Sequence, residues 1–204
     1  MDFTICCTRH RAYDMVYHPG GPRMGANAPL PAILDGVTRQ YPALGISPSR
    51  LVVALPWYSY VFRCSTAIIG ANCSLLAGAK HNRTVWDMSY FQIGYGEVLD
   101  LHVAVGAPPV TYDQISVCKW FDYVNASTKQ RHRVSYDDAE TLLVKYKALL
   151  RVGVAGVGAW TIAATQRQTE AATEAASRQM WAAVAQALQK GGSQGGSSPG
   201  KGVE

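Results

Sequence analysis

A chain of 204 residues, 48% apolar and 16% charged, can bury one sizeable core, which excludes a disordered or fibrous protein and makes one domain with a tail the expectation. The net charge of +5 and the pI near 9.0 raise nucleic acid as a partner, but lysine and arginine are scattered and their densest knot is only Arg131-His132-Arg133. We read the basicity as a solvated surface and expect no nucleic acid. No run of about 18 apolar residues is present to span a membrane, and Met1-Asp2-Phe3 opens neither the basic nor the apolar segment of a signal peptide.

Residues 1–25 resist assignment, because Cys6-Cys7, His10 and Arg11 interrupt any apolar pattern and Pro19-Gly20-Gly21-Pro22 is a turn cluster. Between them, 13–17 is a strand candidate. Over 30–43 the residues Leu30, Ile33, Leu34, Val37 and Tyr41 recur at helical spacing, with Leu44 next in the series. Gly45 ends that helix, and Pro48 keeps it from restarting. The unbroken apolar run 51–55 predicts a strand buried on both faces, as in a parallel sheet covered by helices. Pro56 closes the strand, so Trp57, Tyr58 and Tyr60 emerge at its carboxyl end, where α/β folds carry their sites. Flat aromatic rings there suit a ligand with apolar faces and a polar rim, such as a sugar.

Residues 61–135 are mixed, with Gly94, Gly96, Gly106, Pro108-Pro109 and strand-like runs at 115–124 and 132–136, and predict an inserted α+β element. Regular order returns with Asp137 and Glu140 as a capping-box-like start, the stripe Leu142, Leu143, Tyr146, Leu149 and Leu150, and Gly153 as the stop. A strand at 154–160 follows, then an Ala-rich helix at 169–189 with Ala172, Ala176, Met180, Ala183 and Ala187 on one face, then a disordered Gly/Ser-rich tail at 190–204. Helix, buried strand, insertion, helix, buried strand, helix is the order expected of the last part of a (β/α)8 barrel, so the fold class is α/β, a partial TIM barrel with a small insertion.

The chain has four asparagines, and three of them, Asn72, Asn82 and Asn125, begin glycosylation sequons. Cys64, Cys73 and Cys118 fall in the same region, and Cys64 with Cys73 can close a short disulfide loop. Together these predict a secretory or lysosomal lineage whose leader, and more besides, lies outside this N-terminus. Other signals carry little. Gly191-Gly192-Ser193-Gln194-Gly195 fits G-x-S-x-G without its strand and helix, and Gly153, Gly156 and Gly158 have the wrong order for a dinucleotide loop. The five histidines show no zinc spacing, and Asp137-Asp138 reads as a helix cap instead of a catalytic carboxylate pair.

Ala26-Asn27-Ala28-Pro29, Gly45-Ile46-Ser47-Pro48 with Arg50-Leu51-Val52, Leu55-Pro56-Trp57-Tyr58, Ser135-Tyr136-Asp137-Asp138, Gly156-Val157-Gly158-Ala159-Trp160 and Met180-Trp181 together resemble glycoside hydrolase family 18 over residues 26–188. The resemblance implies cleavage of β-1,4-linked N-acetylglucosamine, in chitin oligosaccharides or the chitobiose core of N-glycans, by a substrate-assisted retaining route with no cofactor or metal. It also implies a substrate floor at Trp160, a cleft lined by Tyr58 and Trp57, and a tyrosine steadying the acetamido group at Tyr17. The family pattern has an aspartate where His18 stands and a glycine where Ser59 stands. Its acidic signature DxxDxDxE, which supplies the general acid, is nowhere in this sequence, and neither are the first five strands. The expectation is a C-terminal fragment inactive alone, with the missing N-terminal part of the barrel as a partner, or alternatively a non-catalytic chitin-binding remnant.

Overall fold

The computed structural model describes residues 4–7, 25–74 and 90–189; the strand expected at 13–17 and the tail at 190–204 lie outside them. The framework is a three-stranded parallel sheet in the order β1-β2-β8, from β1 (Thr4–Cys7), β2 (Leu51–Pro56) and β8 (Gly156–Trp160). Strand β2 lies in the middle, and Leu51, Val53 and Leu55 are fully buried, as its lack of polar alternation requires. The place beside it is filled by Thr4–Cys7, a stretch too short to leave a periodicity in the sequence.

Helix α1 (Leu30–Asp35) has Pro31 in its first turn and continues through a π turn (Gly36–Gln40), where the Tyr41 N–H reaches the Gly36 C=O, into Tyr41–Ala43. Gly45, at φ +77, reverses the chain, and the Ile46 N–H closes on the Tyr41 C=O at 3.0 Å. Helices α3 (Ala139–Arg151) and α4 (Glu170–Leu188) pack against each other; α3 buries Leu142, Tyr146 and Leu149, and α4 buries Ala176, Met180, Ala183 and Val184. Each such large apolar side chain contributes about 1.5–3 kcal/mol on burial.

The cap of α3 differs from the expectation. Asp138 accepts from the Thr141 N–H at 3.1 Å while Thr141 Oγ1 accepts from the Asp138 N–H at 3.0 Å, so Thr141 fills the role expected of Glu140. Glu140 instead meets Lys119 at 2.5 Å. Asp137 is no cap: it is buried, with Lys145 Nζ 2.7 Å from both carboxylate oxygens, and Lys145 also donates to the Ala28 C=O at 2.9 Å. This buried pair ties residues 26–29 to α3.

Between β2 and α3 the chain builds a second, antiparallel sheet in the order β4-β3-β7-β6-β5. Its strands are β3 (Tyr58–Arg63), β4 (Tyr90–Gly94), β5 (Thr111–Asp113), β6 (Cys118–Val124) and β7 (Arg131–Tyr136), and α2 (Tyr95–Ala104) follows β4. Trp57 alone separates β2 from β3, so this sheet starts at Tyr58 and not at residue 61. One face of it sends Val61, Phe121 and Val134 into the core with Val98 of α2. The other holds charge: Asp122 is almost fully buried, with Arg131 Nη2 at 2.7 Å and Arg133 Nε at 2.6 Å. The knot read as a solvated surface is therefore interior, because strand alternation aims both arginines at the same face as Asp122. No described helix is long and apolar enough to cross a membrane.

Candidate functional site

The parallel register places Pro56 of β2 opposite Trp160 of β8, and the Trp57 N–H donates to the Trp160 C=O at 2.9 Å. Trp160 leaves the sheet at its carboxyl end with 45% of its surface exposed, and the peptide to Thr161 is cis. Two residues beyond β2, Tyr58 begins the antiparallel sheet opposite Gly94, with Gln92 opposite Tyr60 on the same face. Tyr58 and Trp160 thus line one cleft of about 650 Å³, together with Gln92, Glu97, Asp100 and Arg167. That volume is in the range of small-ligand sites.

The wall between the two sheets is held by close backbone approach. A Cβ at Gly94 would lie 2.6 Å from the Ala164 carbonyl oxygen, and one at Gly96 would overlap the Gln166 and Thr165 carbonyl oxygens, so glycine at both positions lets β4 and α2 abut the 3₁₀ turn Ile162–Thr165 after β8. Arg167 then pairs with Asp100 at 2.6 Å, and the Gln168 N–H reaches the other Asp100 oxygen at 3.3 Å. Glu97 accepts the Gly94 N–H at 2.6 Å, capping α2. Among the described cleft residues the carboxylates are thus Glu97 and Asp100, and both are engaged in holding backbone. Burial, with Asp138 nearby, pushes the Tyr95 and Tyr136 hydroxyls up to about 12, so neither is a base near neutral pH. Among the described residues the cleft offers aromatic surface, from Tyr58 and Trp160, with a polar rim, from Gln92 and Arg167.

Trp57 is a correction to the expectation. It is 1% exposed, its Nε1 donates to the Tyr146 hydroxyl at 3.1 Å, and its ring meets Trp181 edge-on at 5.0 Å. The Tyr146 hydroxyl in turn donates to the Gly158 C=O at 2.9 Å, and burial raises its pKa. The chain alternates after Pro56, so Trp57 turns into the core where Tyr58 turns to the cleft.

Cys64 and Cys73 are joined and buried, and Cys118 is a buried free thiol, pushed up by burial, beside the Ser116 hydroxyl at 3.1 Å. Asn72 is exposed; Asn125 is half-buried, its Oδ1 accepting from the Ser127 and Thr128 N–H groups at 3.0 Å. Tyr17 and Asn82 lie outside the described residues. Gln92, Glu97, Asp100 and Arg167 escaped sequence reasoning; Gly94-Tyr95-Gly96 was their one local signal. Among the described residues no group of His, Cys, Asp and Glu is placed to hold a metal.

The arrangement of elements is shared with chitinases. The chain superposes on the Group IV chitinase of Ostrinia furnacalis with a TM-score of 0.66, at 17% identity over 93% of this chain and 51% of that one. It also superposes on the class V chitinase of Nicotiana tobaccum, solved as a mutant in complex with NAG4, with a TM-score of 0.51 and 23% identity over 72% of this chain and 38% of that one. In sequence it is similar to "Probable di-N-acetylchitobiase 1" of Dictyostelium discoideum, 27% identical over 67% of this chain and 38% of the relative. The resemblance to glycoside hydrolase family 18, with di-N-acetylchitobiases among the curated relatives, is thereby shown. The chain spans about two fifths of the length of the curated relatives it matches, and no family model matches it.

Proposed function

We propose that the chain is the C-terminal part of a chitobiase-like glycosidase, a partial (β/α)8 barrel that contributes the aromatic side of a subsite for β-1,4-linked N-acetylglucosamine. The observation that carries this is the joint placement of Tyr58 and Trp160 on one cleft at the carboxyl ends of two parallel strands. In this reading Trp160 is the floor under the sugar and Tyr58 the side wall, each offering a flat face to ring C–H groups while Gln92 and Arg167 meet hydroxyls and amides at the rim. Tyr17 would steady the acetamido group. Hydrolysis by the substrate-assisted route needs a general acid, and Glu97 and Asp100 are already committed. The chain alone therefore binds without cleaving, and the acid comes from a missing N-terminal part of the barrel. The sequons and the disulfide support a lysosomal or extracellular setting for the whole protein.

Titration of the 204-residue chain with chito-oligosaccharide, followed by tryptophan fluorescence, is the test. Binding that weakens by about tenfold or more in Trp160→Ala, a loss of at least roughly 1.4 kcal/mol, is the expected result. No binding by the unaltered chain sinks the reading. A second reading, a non-catalytic chitin-binding remnant, is favoured by the engaged carboxylates. The genomic sequence upstream of Met1 separates the two: an in-frame DxxDxDxE segment supports the glycosidase, and its absence supports the remnant.

A further inference from the structure

Away from the cleft, the sequon Asn72-Cys73-Ser74 borders a second hollow of about 210 Å³, lined by Asn72, Asp113, Trp120 and Arg133 with Ala26 beneath. At roughly 30 Å³ per water the hollow holds about seven waters, the bulk of one monosaccharide ring. Its charges are already balanced. Arg133 lies 3.6 Å from the Trp120 ring centroid and donates from Nε and Nη2 to Asp122 and the Ala71 C=O, and Asp113 accepts from the Ile115 and Ser116 N–H groups. An uncharged ligand fits such a hollow better than an ion.

The chain on both sides of Asn72 is fixed while Asn72 itself is exposed. Arg131 and Arg133 both bond to the Ala71 C=O, Cys73 is tied to Cys64, and the Ser74 C=O accepts from the Ser65 N–H at 2.7 Å. The disulfide forms in an oxidising compartment, the setting of N-glycosylation in secreted proteins. Asn125 contrasts with this: its Oδ1 is held by the turn between β6 and β7, and it lines neither the hollow nor the cleft.

We propose that Asn72 carries an N-linked oligosaccharide whose first N-acetylglucosamine folds back into this hollow and covers the Trp120 side of the antiparallel sheet. The donor is a lipid-linked diphosphate oligosaccharide. A bond forms from Asn72 Nδ2 to the anomeric carbon, the bond from that carbon to the diphosphate breaks with the electron pair leaving on the lipid diphosphate, and Nδ2 releases one proton. The inference is independent of the cleft, so the two stand or fall separately.

The test expresses the full chain behind a secretion leader in animal cells and maps glycan occupancy on total cellular and secreted protein. An occupied Asn72, lost in both Asn72→Gln and Ser74→Ala, is expected. Trimming to a single N-acetylglucosamine should leave the melting temperature unchanged, and complete enzymatic removal should lower it by about 2–4 °C. In Trp120→Ala the single-sugar and sugar-free forms should melt together, a comparison within one variant that is indifferent to any general loss of stability. An unoccupied Asn72, or equal melting of the single-sugar and sugar-free forms of the unaltered chain, overturns the proposal.

Discussion

The two sheets bury their interiors by opposite means. The parallel sheet β1-β2-β8 is apolar at its centre, which Leu51, Val53 and Leu55 fill. The antiparallel sheet closes its second face with ions, one aspartate between two arginines under a disulfide-tied loop whose Ala71 carbonyl accepts from both guanidiniums and whose Thr66 carbonyl accepts from Arg131. An apolar core tolerates the loss of one group with partial collapse, whereas an ionic one fails when any member leaves its partners buried and uncompensated. The cleft lies where the two meet, with Tyr58 and Gln92 from one sheet and Trp160 from the other.

Asp122→Ala tests the ionic side most severely. It should cost about 3–5 kcal/mol in denaturant unfolding, since two buried arginines lose their counter-ion. Trp57→Ala is the apolar counterpart and should cost about 3–5 kcal/mol, at the low end if Trp181 swings in to fill the space; a cost under about 1 kcal/mol would return Trp57 to the cleft. Gly96→Ala acts on the seam between the sheets and should cost about 1–3 kcal/mol while weakening sugar binding, because the Cβ displaces the backbone at Thr165 and Gln166, in the turn that follows Trp160 and borders the cleft. Asp138→Ala, removing the α3 cap, should cost about 0.5–2 kcal/mol and leave binding alone.

Acid sharpens the same contrast. Burial alone would raise the Asp122 carboxyl, but Arg133, the Gly70 N–H and Arg131 outweigh it and hold the group below the usual carboxylate range. A group depressed in the folded state contributes fully above its unfolded value near roughly pH 4 and loses that contribution as pH falls through the folded value. Melting followed from pH 6 downward should show this acid loss in the unaltered chain and a shallower one in Asp122→Asn. Smallest of all, Arg178→Ala should change stability by no more than about 0.5 kcal/mol, because its pairing with Glu174 is exposed.

What the sequence determined by itself were the features written in local pattern. The apolar run of β2, the stripe of α3, the long Ala-rich helix and the emergence of Tyr58 and Trp160 at strand ends all follow from spacing and punctuation, which act over a few residues. Tertiary structure alone decided which residues meet across long separations. Trp57 and Tyr58 are adjacent and equally aromatic, yet one finds Tyr146, 89 residues away, and the other finds the cleft. Asp100 and Arg167 are 67 residues apart and carry no mark of each other in the sequence, and Arg131 and Arg133 read as surface until the partner at Asp122 is seen. The physical reason is that burial of a charge is set by the partner that compensates it, and that partner is chosen by how strands and helices pack, not by the neighbours along the chain.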